Sequence, residues 1–322
     1  NSGGASNMNE NAIEVSGLHF AYGAHEVLQG VELAVPAGSI FGFLGRNGAG
    51  KTTLIKQLLG LLRPSTGTCR VLGLDAAKES IAVRERIGYM AEDQRMYGWM
   101  RVEQVVRWVG SLYPGWDHAL SDDLLERMEL PRKGKVKTLS KGQNSRLALL
   151  LALGHRPRVV ILDDPTLGLD PISRKEFLRD VIGLLQSDGV TVFFSSHLLY
   201  EIEPVADHVA ILHGGRIIRA GRTEDLRESV RRLIFTPLPG ARWDQLEGVL
   251  DVSRAGSAVA LTLSEFSEAG RAAVAGMSRD GVQEQALNLD EIFESYVIGN
   301  RGGPNPGAGA VAGEGEEAAS HG

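Results

Sequence analysis

The sequence predicts an α/β core built on a parallel sheet, carrying a helical insert and followed by a small α+β domain. Three observations predict it. The apolar run at residues 39–44 stops at a glycine-rich turn, and helical apolar spacing then runs over residues 51–62. Two more continuous apolar runs, residues 159–162 and 190–194, have the pattern of strands buried on both faces. Near residue 229 the pattern changes to short strand and helix segments broken by Pro237-Leu238-Pro239-Gly240 and Ala255-Gly256.

Taken in order, residues 1–12 are rich in Asn, Ser and Gly and are expected to be disordered. Residues 13–35 alternate as strands do, with Ile13, Val15, Leu18 and Phe20, then Val27, Leu28, Val31, Leu33 and Val35. Residues 101–130 carry helical spacing at Val102, Val105, Val106 and Val109, then at Leu120, Leu124, Leu125 and Met128, which predicts a helical insert over about 95–138. The core domain is expected to end at 228. Residues 233–298 read as strand, helix, two strands, helix, strand and helix, which makes a small α+β domain over 229–298. From 299 to 322 the chain is Gly-, Ala- and Pro-rich with an acidic run at 314–317, and is expected to be disordered.

With 322 residues, 43% of them hydrophobic, the chain has room for one large packed domain and a smaller one. Its net charge of −6, from 34 basic and 40 acidic residues, argues against a general nucleic-acid binder. The lone Cys69 cannot form an internal disulfide, so a reducing compartment is expected. No charged start followed by an apolar run marks a signal peptide. No segment approaches the roughly 20 apolar residues of a membrane span. If the protein acts at a membrane, another chain crosses it.

The segment Gly45-Arg46-Asn47-Gly48-Ala49-Gly50-Lys51-Thr52, followed by Thr53, satisfies the full phosphate-loop pattern between a strand and a helix. Its glycines let backbone N–H groups curl round phosphate oxygens at the positive end of the helix. Lys51 is expected on the β- and γ-phosphates, and the Thr52 hydroxyl on Mg²⁺. Val159-Val160-Ile161-Leu162-Asp163-Asp164 is an apolar strand ending in two carboxylates. At the carboxyl end of a parallel strand, Asp163 has the chemistry of a Mg²⁺ ligand. Asp164 is placed to orient or deprotonate an attacking water. On its own the pair also reads as a solvated turn before Pro165; the phosphate loop shifts the balance towards chemistry.

Leu139-Ser140-Lys141-Gly142-Gln143 opens a helix, where a serine hydroxyl and a free backbone N–H form an anion site or an ordinary N-cap. This pentapeptide resembles the Leu-Ser-Gly-Gly-Gln signature of ATP-binding cassette (ABC) nucleotide-binding subunits, and residues 13–228 resemble that family as a whole. The resemblance implies a P-loop NTPase core that binds ATP and Mg²⁺, with the signature closing over the ATP of a second ABC protomer. It also implies that Tyr22 stacks on adenine. Leu167-Gly168-Leu169-Asp170 then couples the two sites, His197 after Ser195-Ser196 is the switch histidine at the γ-phosphate, and Glu92 touches Mg²⁺ and water. In such a protein the insert and the segment around Glu92 receive a cytoplasmic helix of a transmembrane permease. Tyr97, Trp99, Met100 and Trp108 lie near that position, Trp108 being better read as insert core. The expected location is cytoplasmic, peripheral on the inner face of the cell membrane.

The sequence departs from the family at three positions. Lys141 replaces the first signature glycine, and Glu92 stands where many members carry glutamine. Asp164 stands where most carry glutamate. Aspartate is one methylene shorter, so slow hydrolysis is expected, with Asp164, His197 and Glu92 as the catalytic groups. The ending Asn288-Leu289-Asp290-Glu291-Ile292-Phe293 resembles the Leu-Glu-Asp-Ile/Val-Phe of bacterial exporter ATPases, which favours export. The DNA-repair members of the family insert a long coiled coil, but only about 90 residues without heptads separate Lys51 from Ser140. A regulatory, weakly hydrolysing half of a heterodimer remains the alternative.

Overall fold

The computed structural model describes residues 11–94, 96–185, 189–197, 202–243 and 246–299. The chain divides into two compact units, residues 1–223 and 224–322. The division falls ahead of the change in character expected near 229. Apart from Asn11, Ala12 and Gly299, the segments expected to be disordered lie outside the described residues.

In the first unit, β1 (Asn11–Tyr22) and β2 (His25–Pro36) form an antiparallel hairpin turning at Gly23. Their alternation places Ile13, Val15, Leu18, Leu28 and Val31 in the core. The hairpin begins at Asn11, with Ala12 already buried. It joins β4 (Thr66–Val71) and β5 (Leu74–Asp75) in a sheet ordered β2-β1-β4-β5.

The six-stranded sheet has the order β10-β9-β3-β8-β7-β6. It comprises β3 (Ile40–Leu44), β6 (Ile87–Met90), β7 (Val159–Asp163), β8 (Thr191–Ser196), β9 (His208–His213) and β10 (Arg216–Arg222). All neighbours from β9 to β6 pair in parallel; only β10 runs antiparallel. Every residue of β3, β7 and β8 is buried, as continuous apolar runs require.

After β3 comes α1 (Lys51–Leu58), shorter than the expected helix to residue 62. Gly60 explains the stop: it adopts φ +64°, and a side chain there would collide with the Ala76 carbonyl and Ser80. The short α2 (Ser80–Arg84) leads into β6.

The insert holds α3 (Val102–Gly110) and α4 (His118–Arg127), the latter capped by Asp117, which accepts from the Leu120 N–H at 2.9 Å. Trp116 is buried over Gly110 and Gly154, where no side chain would fit. Trp108 is not insert core. It is 44% exposed, on the flank of the buried Val102, Val105 and Val106 stripe. The helices α5 (Lys141–Leu153) and α6 (Pro171–Leu185) are joined by Arg146, whose guanidinium lies 2.9 Å from Glu176 and 3.3 Å from Asp180.

The second unit contains α7 (Thr223–Ser229, whose first residue closes the first unit) and a four-stranded antiparallel sheet ordered β12-β13-β11-β14. Its strands are β11 (Arg231–Pro237), β12 (Val249–Ala255), β13 (Ala258–Leu263) and β14 (Ser278–Ala286), with α8 (Glu268–Gly276) and α9 (Leu289–Val297). Leu233, Phe235, Trp243, Leu261 and Val274 form its core. Between the first two strands, where a helix is expected, the described residues show turns and one 3-10 position at Trp243, and residues 244–245 lie outside the described residues. The exporter-like ending forms α9, with Asn288 accepting from the Glu291 N–H at 2.9 Å in a capping box.

Candidate active site

Strand register assembles the site. Leu44 at the end of β3 pairs with Ser196, and Asp163 at the end of β7 pairs with Ser195. The strand between them, β8, therefore delivers His197 to the same carboxyl edge, where ligands bind in parallel α/β sheets. The loop from Gly45 through Asn47, Gly48, Ala49 and Gly50 crosses that edge into Lys51, Thr52 and Thr53 of α1. Gly50 has φ +110°, and a Cβ there would lie 2.9 Å from Leu28 Cδ2, so no other residue fits.

The Lys51 ammonium is 6% exposed and donates to the Gly45 carbonyl at 2.8 Å. It also lies 3.7 Å from Asp164 Oδ2. A buried cation at a helix start, beside a glycine-rich loop, suits the holding of a polyphosphate.

Asp163 is fully buried. Its Oδ1 accepts from the Ser195 hydroxyl at 3.0 Å, while Oδ2 has no hydrogen-bond partner among the described residues. Burial holds its carboxyl above the usual range, with the charges of Asp164 and Glu92 adding to the effect and the Ser195 and Thr52 hydroxyls opposing it. An orphaned carboxylate oxygen beside a threonine hydroxyl fits a hard cation such as Mg²⁺. Among the described residues no cluster of three or more His, Cys, Asp or Glu closes round a metal. A cation here needs water and phosphate oxygens to complete its shell, which is how Mg²⁺ is ordinarily held.

Asp164 adopts φ +42°, a strained region for a non-glycine residue. Its N–H donates to the Ser195 carbonyl at 3.0 Å. Its Oδ1 lies 2.7 Å from His197 Nδ1 and accepts from the His197 backbone N–H at 3.2 Å. Glu92, just beyond β6, is exposed. Its charge, after that of Asp163 and above all burial, helps push the Tyr89 hydroxyl up to about 12. Lys51, Thr52, Asp163, Asp164 and His197 thus share one cluster, with Glu92 at its rim.

Tyr22 ends β1, half exposed and edge-on to Phe20 at 4.8 Å. The following strand brings Val27 and Leu28 against Gly50, so the hairpin lies beside the phosphate loop.

Ser140 caps α5, and Lys141, Gly142 and Gln143 form its first turn, with Gly142 against Ser173 of α6. Among the described residues no hydrogen bond or ion pair joins them to Lys51, Asp163 or Asp164. Ser140 caps α5 by accepting from the Gln143 N–H at 3.1 Å, and the Gln143 side chain returns the bond at 3.1 Å. The Lys141 ammonium lies over Gly168, 3.2 Å from the position a Cβ would take. Asp170 caps α6, accepting from the Ile172 and Ser173 N–H groups at 3.1 Å each. Hydrogen bonds led by the Ser173 hydroxyl hold its carboxyl below the usual range. The role of Ser195 in holding Asp163 was not anticipated; a serine pair ending the apolar β8 was the available signal.

Residues 28–167 match the family model described as ABC transporter. The chain is 35% identical to the bacitracin transport ATP-binding protein BcrA of Bacillus licheniformis over 69% of its length and 73% of that protein. It is 38% identical to the daunorubicin resistance ATP-binding protein DrrA3 of Streptomyces coeruleorubidus, over 68% and 71%. A solved ATP-binding subunit of an ABC transporter superposes with a TM-score of 0.61 at 30% identity, over 67% of this chain and 92% of that one. The chain belongs to the family of ABC transporter ATP-binding subunits.

Proposed function

We propose that this ATP-binding subunit is a hydrolysing motor that pairs with a second ABC protomer and drives a separate permease in the direction of export. The observation that carries the reading is the buried Asp163 carboxylate beside Thr52, its Oδ2 without a hydrogen-bond partner among the described residues. Lys51 and the N–H groups of the Gly45–Gly50 loop hold the phosphates, and Tyr22 offers its exposed ring to the adenine. Thr52 and Asp163, with Glu92 at the rim, would hold Mg²⁺, which neutralises charge developing on the phosphoryl oxygens. Asp164 and His197 orient the water.

Support for two chains comes from the Ser140–Gln143 helix start. Gly142 at the start of α5 lies against Ser173 and Lys141 against Gly168, and among the described residues no hydrogen bond or ion pair ties this helix start to Lys51, which leaves it free to meet the nucleotide of a second chain. ATP joining both chains would bias an open–closed equilibrium that a partner can follow. Among the described residues no helix is long and apolar enough to cross a membrane, consistent with a peripheral subunit. Support for export is the resemblance of α9 to exporter endings and the two resistance and transport relatives named above. Asp164 gives a second reading some weight: its carboxylate is engaged by His197 and is short, as suits a weakly hydrolysing half of a heterodimer.

The test is equilibrium binding of a fluorescent ATP analogue with and without Mg²⁺. Binding that weakens at least about tenfold in Lys51→Ala, and loses its Mg²⁺ dependence in Asp163→Asn, supports the reading. Wild-type affinity in both variants refutes it.

A further inference from the structure

The insert carries a face that the nucleotide chemistry leaves unused. Tyr97 and Trp99 are 52% and 71% exposed, and Trp108 stands edge-on to Tyr97 at 5.3 Å. Leu112, one turn beyond Trp108, is also exposed. The backbone fixes what borders these rings. Residues 98–103 run antiparallel to 132–137: the Lys137 N–H donates to the Gly98 carbonyl, Val136 to Met100, Val102 to Gly134 and Glu103 to Arg132, at 3.0–3.1 Å. Arg101 bridges to Lys135 in the same ladder.

That ladder sets the aromatic side chains beside a concentrated positive charge. Residues 132–141 contain Arg132, Lys133, Lys135, Lys137 and Lys141 and no Asp or Glu, in a chain whose net charge is −6. Arg132 is paired with Asp122 at 2.6 Å. Lys133, Lys135 and Lys137 are exposed, and no carboxylate among the described residues pairs with them. Like charges held together without counter-charges cost free energy through mutual repulsion, a cost an acidic partner removes. Exposed tryptophan and tyrosine are the side chains that anchor interfaces.

The geometry points to an acidic amphipathic segment of the membrane-spanning partner as the occupant of this face, its apolar side on Tyr97, Trp99 and Trp108 and its carboxylates on Lys133, Lys135 and Lys137. The inference rests on the docking of a permease proposed above and adds the chemistry of the docked segment. Opposite charges within about 8 Å, the screening length at physiological salt, steer and register the contact. Salt therefore weakens it, while the aromatic contact persists.

The test replaces Trp99, and separately Lys135, in the full chain with a benzophenone-bearing residue, cross-links in membranes of its own cells and sequences the attached peptide. Both positions are expected to capture one segment of an integral membrane protein with more Asp and Glu than Lys and Arg. A neutral or basic segment overturns the charge inference and leaves the docking reading standing. Adducts only to lipid overturn the inference in favour of a membrane-surface contact. No membrane-protein adduct from either position overturns the docking reading itself. In parallel, the Lys133→Gln, Lys135→Gln, Lys137→Gln triple variant is expected to be retained on washed membranes at least about tenfold less than wild type at low salt. Binding of a fluorescent ATP analogue reports its fold independently. Unchanged membrane retention by a folded triple variant overturns the inference.

Discussion

His197 Nδ1 lies 2.7 Å from Asp164 Oδ1, while the other Asp164 oxygen lies 3.7 Å from the Lys51 ammonium. One short carboxylate is thereby shared between His197 and Lys51, drawn to its own chain. On the proposed function, a side chain one methylene longer at 164 would extend beyond this arrangement towards the bound phosphates.

Asp164→Glu is accordingly expected to raise ATP turnover. A misplacement of about 1 Å can cost on the order of 10²-fold, so an increase of about tenfold or more is expected. Steady-state phosphate release at saturating ATP checks it; equal or lower turnover contradicts the positioning argument.

Asp163→Asn is expected to stabilise the nucleotide-free protein while abolishing Mg²⁺-dependent hydrolysis. Burial raises the Asp163 pKa, so the folded state binds more protons than the unfolded one between the ordinary value of 3.8 and the raised value. The contribution of Asp163 to stability is therefore greatest below 3.8 and is lost as pH rises through the folded-state pKa. Asparagine removes that loss. A melting temperature above wild type at neutral pH, by about 2–4 °C per kcal/mol gained, is the expected readout in thermal scans without nucleotide.

Ser140 separates its two roles under substitution. Ser140→Asp preserves the N-cap, since aspartate caps as well as serine, but places a negative charge where a partner's phosphate would sit. Unchanged stability with strongly reduced ATP-dependent dimerisation is expected by thermal unfolding and light scattering. Ser140→Ala instead costs about 1 kcal/mol of stability through the lost cap.

The sequence carried the core because its signals are local. A glycine loop between the buried β3 and α1, and two carboxylates ending β7, need only chain order to be recognised. What it did not carry depends on contacts across the fold. The early stop of α1 is decided by Gly60 meeting Ala76 and Ser80, residues whose proximity no local pattern reveals. Trp108 has the apolar character of a core residue, yet Trp116 fills the space over Gly110 and Gly154 and leaves Trp108 outside. The Asp163–Ser195 bond depends on which strands are neighbours, and the positive φ of Asp164 is one that aspartate adopts only at a minority of positions.

The most direct measurement of the central claim is steady-state ATPase activity of the purified chain against its own concentration, with Lys51→Ala as the blank. A two-chain catalytic sandwich predicts activity that rises more steeply than linearly with protein and disappears in the blank. Specific activity independent of concentration, or equal to the blank, would contradict it.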